Sequence, residues 1–164
     1  MITKPKASIR VAKRSRSLLG LAGKRKGLSY RSVASLIRKN DVNGLISAVE
    51  MGVSVGVAHA LPGAFDIAQS KIAILLGVSP KTMQRWHLMT HQRLTRPVGE
   101  RAIRLLQLRQ QAIETFEDEK HAVAWLSEEN KAFDGRRPIE HAHTELGCQQ
   151  VECLLTRIDQ GIFS

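Results

Sequence analysis

Residues 66–87 read DIAQSKIAILLGVSPKTMQRWH, and they predict two short helices joined by a tight glycine turn. Asp66 with Gln69 three residues on has the spacing of a capping box. Ile72, Leu75 and Leu76 make an apolar face at helical spacing, and Ala73 is small enough to let a crossing helix approach. Gly77 suits the left-handed residue that ends a helix, and Val78 can plug the turn into a core. Ser79 is a good N-cap, and Pro80 falls at the first helical position, where a missing N–H costs nothing. Met83 and Trp86 then face inward, leaving Lys81, Thr82, Gln84 and Arg85 outward.

Two readings fit: a helical hairpin with a polar surface, or a DNA reader. The outward set has the chemistry of a recognition helix. Gln pairs bidentately with adenine and Arg with guanine, while Lys and Thr reach phosphate or a base edge. The helix N-terminus itself favours a phosphate. The candidate DNA-binding residues are therefore Ser79, Lys81, Thr82, Gln84 and Arg85.

The charge map asks for more than a DNA reader. The 164 residues carry a net charge of +10, unevenly placed. Residues 1–40 hold 12 Lys or Arg and no acidic residue, residues 41–113 hold 8 basic and 4 acidic, and residues 114–164 hold 5 basic and 11 acidic. A basic front suits a polyanion, because each neutralised phosphate releases counterions. An acidic rear would be repelled by the same polyanion and must have a second task.

The composition predicts an all-α chain. It is 43% hydrophobic but only 4% aromatic, so the core must be mostly aliphatic, and few runs alternate with the two-residue period of strands. Residues 1–28, rich in Lys, Arg, Gly and Ser, read as a basic arm: a phosphate-gripping element or a solvated tail. A helix is expected from Ser29 to Asn40, with Val33, Leu36 and Ile37 on one face. Turn chemistry follows at Asp41–Gly44, then a short helix carrying Leu45, Ile46 and Val49 that ends at Gly52. Residues 53–65 read as an element broken at Leu61-Pro62-Gly63.

Beyond residue 93, a long amphipathic helix is expected from about Pro97 to Phe116. Acidic residues at 117–119 favour the start of the next helix, which buries Val123, Trp125 and Leu126. A polar loop follows, pinned by Phe133 and turning at Asp134-Gly135. Pro138 opens a short helical turn, and a last helix runs from about Thr144 to Gly161.

Enzymatic chemistry finds no support. His141, His143, Cys148 and Cys153 are possible zinc ligands, but their spacing would splay them around a helix. His87 and His91 lack the intervening carboxylate of a metalloprotease motif. No phosphate-cradling glycine loop or nucleophile–base arrangement occurs, so neither a metal nor a cofactor is expected. Five residues apart on one helix, Cys148 and Cys153 would point about 140° from each other, which discourages a disulfide. No apolar run approaches the roughly 20 residues needed to span a bilayer, and no apolar segment follows the basic N-terminus as in a signal peptide. A cytoplasmic protein without membrane contact is expected.

The C-terminal half resembles the toxin-binding domain of the Xre/MbcA/ParS antitoxins. The matching features are Ala124-Trp125-Leu126, Asn130, Phe133-Asp134-Gly135 and Arg137-Pro138-Ile139, followed by Thr144, Glu145, Gly147, Val151, Leu155 and the closing Ile158 to Gly161. KIAILLGVSPKTMQRWH followed by RLTRPVGERAIRLLQL is similar to the Xre-type helix-turn-helix and connector that precede this domain. The resemblance covers roughly residues 45–164. Phe133 stands where the family often has Leu, and the basic arm is not part of the family pattern.

The resemblance implies the antitoxin of a type II toxin–antitoxin system. Its partner would be a RES-domain toxin that degrades NAD⁺, neutralised when the C-terminal domain blocks the toxin's active site. The helix-turn-helix would repress the antitoxin's own operon, and a palindromic operator would require a homodimer. The expected division is a basic arm at 1–28, a helix-turn-helix region at 29–93, a connecting helix at 94–116 and a toxin-binding domain at 117–164. Candidate toxin contacts are Asn130, Arg136, Arg137 and Pro138 in the loop and Gly161, Ile162, Phe163 and Ser164 in the tail. The alternative is a stand-alone helix-turn-helix repressor whose C-terminal domain oligomerises.

Overall fold

A computed structural model describes residues 27–89 and 92–162. The part of the basic arm before residue 27, the tail residues Phe163 and Ser164, and His91 lie outside the described residues. The fold is all-α: among the described residues the only β pairing is two isolated bridges, Leu28 with Val53 and Ser54 with Arg93. Leu28, read from sequence as part of the arm, is thus built into the fold. Its amide donates to the Gly52 carbonyl, and its own carbonyl accepts from the Ser54 amide, both at 3.0 Å.

Among the described residues nine α-helices follow one another. The first five are α1 (Tyr30–Arg38), α2 (Val42–Met51), α3 (Val55–Phe65), α4 (Gln69–Leu76) and α5 (Pro80–Trp86). The remaining four are α6 (Arg96–Phe116), α7 (Glu119–Ser127), α8 (Pro138–His141) and α9 (Glu145–Asp159). A single turn of 3-10 helix, Lys131–Phe133, sits between α7 and α8. No helix among the described residues is long and apolar enough to cross a membrane.

The 21 residues of α6 form an axle about 32 Å long. Helices α1 to α4 pack against one part of it, and α7 and α9 against the other. Its apolar positions Ala102, Ile103, Leu105, Leu106, Leu108 and Ala112 are buried on more than one side. One core therefore runs continuously from Val33 in α1 to Leu155 in α9. Polar contacts lock the second half onto the first. The Arg109 guanidinium donates to the Ala64 carbonyl at 2.7 Å and also pairs with Glu119, and Ser127 Oγ donates to the Phe65 carbonyl at 3.2 Å. Arg104 pairs with Glu145 at 2.6 Å, and Gln111 Nε2 donates to the Glu152 carbonyl at 3.1 Å.

Four local expectations are corrected. Asp41–Gly44 is not a free turn: the Asp41 carboxylate accepts the Gly44 amide at 2.8 Å and caps α2, so Val42 to Gly44 form its first turn. Helix α3 continues through Pro62 instead of breaking. Val57, Ala58, Leu61 and Phe65 are each fully buried on a stripe that spans the proline. That burial outweighs the roughly 3 kcal/mol an interior proline costs. Asp66 does not cap α4 in a capping box. It is the left-handed residue that ends α3, with φ 51°, and the position before α4 falls to Ala68, which makes no side-chain cap. In α7 the fully buried residues are Ala122 and Leu126, while Val123 and Trp125 are half-buried, Trp125 resting on Phe116 at 5.6 Å between ring centroids.

Candidate functional site

Helices α4 and α5 form the helical pair expected from residues 66–87. Gly77 ends α4 with φ 67°, and a second contact secures the turn. Arg101 of α6 reaches across and donates from Nη1 to the Leu76 carbonyl at 2.9 Å. Ser79 caps α5, its Oγ accepting the Thr82 amide at 3.0 Å and lying 2.9 Å from the Thr82 hydroxyl. Met83 and Trp86 are buried as expected. Lys81, Gln84 and Arg85 are exposed on the opposite face, at i, i+3 and i+4. The five candidates thus divide by what their polar atoms do. Lys81, Gln84 and Arg85 are presented to solvent, while Ser79 and the half-buried Thr82 spend theirs on the cap.

Helix α5 is anchored at its far end by a histidine. His87 follows Trp86, its Nε2 lies 2.9 Å from Gln69 Nε2 at the start of α4, and its ring meets the His59 ring of α3 at 4.1 Å. His59 is held below its ordinary pKa, first by burial and then by repulsion from His87. Its Nε2 is buried without a hydrogen-bond partner.

The second candidate surface lies around α8. Asn130 is the hub of the 130–138 loop. Its side-chain oxygen accepts the Ala132 amide at 2.9 Å, its carbonyl accepts from Phe133 and Gly135, and its amide donates to Arg136. Asp134 and Gly135 both take left-handed φ, 55° and 77°, and reverse the chain. Phe133 is buried and stacks on His141 at 4.7 Å. Arg136 is exposed, Arg137 is half-buried, and Pro138 is buried at the start of α8. At the other end of the domain, Gly161 takes φ 68° and closes α9, and Ile162 is 51% exposed. In the chain, α8 and α9 lie between loop and tail.

The histidines and cysteines proposed above as ligands are dispersed. His141 Nε2 pairs with Gln150 at 2.6 Å, Cys148 is buried and Cys153 exposed. Burial, then the neighbouring Glu152 carboxylate, pushes the Cys148 thiol up to about 12. Among the described residues no three His, Cys, Asp or Glu side chains gather at metal-binding distance.

Sequence reading missed Arg101, Arg109 and the pair Lys71–Glu140, whose charged atoms lie 2.5 Å apart between α4 and α8. Each acts on a partner far away in sequence, up to 69 residues for the ion pair. No periodicity or short motif announces such a pairing.

A glycine-turn helix pair with a basic, solvent-facing second helix, on one core with a second helical unit, defines a helix-turn-helix regulator that carries a further binding module. Comparison with known families agrees. Residues 44–107 match the antitoxin Xre-like helix-turn-helix domain, and residues 111–161 match the antitoxin Xre/MbcA/ParS C-terminal toxin-binding domain. A protein described as antitoxin Xre from Yersinia enterocolitica is 29% identical over 122 residues, which cover 73% of this chain and 81% of the relative. The chain belongs to the Xre antitoxin family, with a DNA-binding helix-turn-helix domain followed by the family's toxin-binding domain.

Proposed function

We propose that this protein neutralises a RES-domain toxin that degrades NAD⁺, by covering the toxin's active site with its C-terminal domain, and that it represses its own operon through α5. It acts by binding and performs no catalysis of its own. The observation that carries this reading is the single core. One axle helix holds a face of Lys81, Gln84 and Arg85 on its first half and an acidic domain with a hydrogen-bonded loop carrying Arg136 and Arg137 on its second.

The proposed division is a basic arm ending before Leu28, a helix-turn-helix region from Leu28 to residue 93, the connecting helix at 94–116 and the toxin-binding domain at 117–164. DNA is met by Lys81, Gln84 and Arg85, with Ser79 and Thr82 fixing the helix start. The toxin is met by Arg136 and Arg137, set in place by Asn130 and Pro138, and by the tail Gly161 to Ser164. Exposed apolar Ile162 is compatible with the tail assignment, because its side chain would gain by leaving water for a cleft on the partner. A two-fold operator calls for a homodimer, and the work is placed in the cytoplasm, where NAD⁺ and the operon are found.

Co-expression with the RES-domain protein encoded beside it tests the proposal. A stable co-purifying complex that also binds the operon's own promoter is expected. Specific promoter binding without any complex would instead favour a stand-alone repressor whose C-terminal domain serves oligomerisation.

A further inference from the structure

Between α4 and α8 lies a groove of about 240 Å³ that shares only Arg137 with the surfaces described above. Its floor is Ile67, Leu75 and Ile139, and Ile74 stands on its edge with 66% of its surface exposed. Helix α4 belongs to the helix-turn-helix match and α8 to the toxin-binding match, so the groove is built half from each domain. Lys71 and Glu140, paired at 2.5 Å, both line it.

We propose that this groove is a toxin contact, which receives an apolar side chain of the toxin flanked by a carboxylate. The inference rests on the toxin-binding reading above and extends it to α4, a helix of the DNA-binding half. Two observations select this occupant. The groove is continuous with the 130–138 loop, because Arg137 lies at the end of that loop and lines the groove. The rim is also complementary to an anion. Glu140 is already engaged by Lys71, and among the described residues no carboxylate pairs with Arg137. An apolar floor beneath an uncompensated guanidinium suits an apolar–acidic pair on the partner. Ile74 then becomes the anchor that the toxin covers, and its exposure in the free chain follows.

The test is calorimetric titration of the RES-domain toxin with the full chain and with Ile74→Asp and Arg137→Glu. Both positions carry solvent exposure, so circular dichroism should show unchanged helix content. Each variant should weaken the complex by roughly tenfold or more, as expected for a buried anchor, while promoter binding measured without toxin stays at the level of the unaltered chain. If the unaltered chain binds the toxin and Ile74→Asp binds it equally well, the groove proposal is overturned whatever Arg137→Glu does, and an Arg137→Glu chain with full affinity would in addition remove Arg137 from the toxin contacts proposed above. If the unaltered chain itself fails to bind, that reading falls and takes the groove with it. An Ile74→Asp chain that keeps full toxin affinity but loses self-association would assign the groove to a second copy and overturn the proposal.

Discussion

Arg101 donates a hydrogen bond to the Leu76 carbonyl at 2.9 Å, across the turn that separates α4 from α5. A residue of the axle helix thereby satisfies an orphan carbonyl at the end of α4 and sets where the recognition helix begins. Replacing Arg101 with Met keeps much of the stem and removes the donor. The expected result is a loss of about 1–3 kcal/mol in stability, typical of a bond from a charged group. Promoter binding should weaken more than toxin binding, since α8 and α9 are untouched. Thermal melts and a gel shift measure the two effects, and equal weakening of both partners would show that Arg101 merely supports the whole fold.

Arg85 is exposed on the face of α5 that also carries Lys81 and Gln84. Arg85→Ala should cost about 1–3 kcal/mol in specific promoter binding if its guanidinium reads a base, with less effect on unrelated DNA. Lys81→Ala should weaken both kinds of DNA to a similar degree and make binding less salt-dependent. An unchanged gel shift for Arg85→Ala would remove it from base reading.

Two glycines of the C-terminal domain should respond differently to alanine. A Cβ at Gly147 would collide with the His141 backbone carbonyl, where nothing flexible can yield. Gly147→Ala should therefore cost about 3 kcal/mol, the upper range for overpacking. Gly135 has open space around it and only its φ of 77° to protect, so Gly135→Ala should cost about 1–2 kcal/mol. Denaturant melts of the two variants give the ranking directly.

Acid should loosen the contact between α3 and the end of α5. His59 is held below its ordinary value of 6.5, so the folded chain binds its proton less readily than the unfolded chain does. The stability this contributes is complete above that value and is lost as pH falls through the lower folded value. Melting temperatures taken between about pH 7 and pH 5 should fall, and His59→Phe, which leaves no polar atom unpartnered, should fall less. A variant as acid-sensitive as the parent would place the titration elsewhere.

The two thiols differ in access. Cys153 is exposed and should react with a thiol reagent in the native protein, whereas Cys148, buried and raised to about 12, should react only on unfolding. One reactive thiol per native chain and two in denaturant is the expected count.

The helices were legible where the determinants are local. Gly77, Ser79 and Pro80 mark the turn unambiguously, and the apolar spacing of Ile72, Leu75 and Leu76 picks out the buried face, so α4 and α5 fall where the residues place them. The same holds for Gly52, Gly161 and Phe133. Reading failed where tertiary packing overrules a local rule. Pro62 stays helical because the residues around it are buried, and Asp66 ends one helix instead of starting the next. For the candidate sites, sequence identified side chains of suitable chemistry but not their duties. Ser79, Thr82 and Asn130 have their polar groups occupied by local structure, and Pro138 is buried. The side chains that make long-range contacts, Arg101, Arg109, Lys71 and Glu140, were invisible because their partners come from distant parts of the chain.

The most direct test of the central claim is NAD⁺ consumption by the purified RES-domain toxin, titrated with the full chain and with a chain ending at Gly161. The account predicts that the full chain abolishes turnover at a stoichiometric ratio, while the shortened chain stays folded and leaves the toxin active. Undiminished NAD⁺ consumption in the presence of the full chain would contradict it.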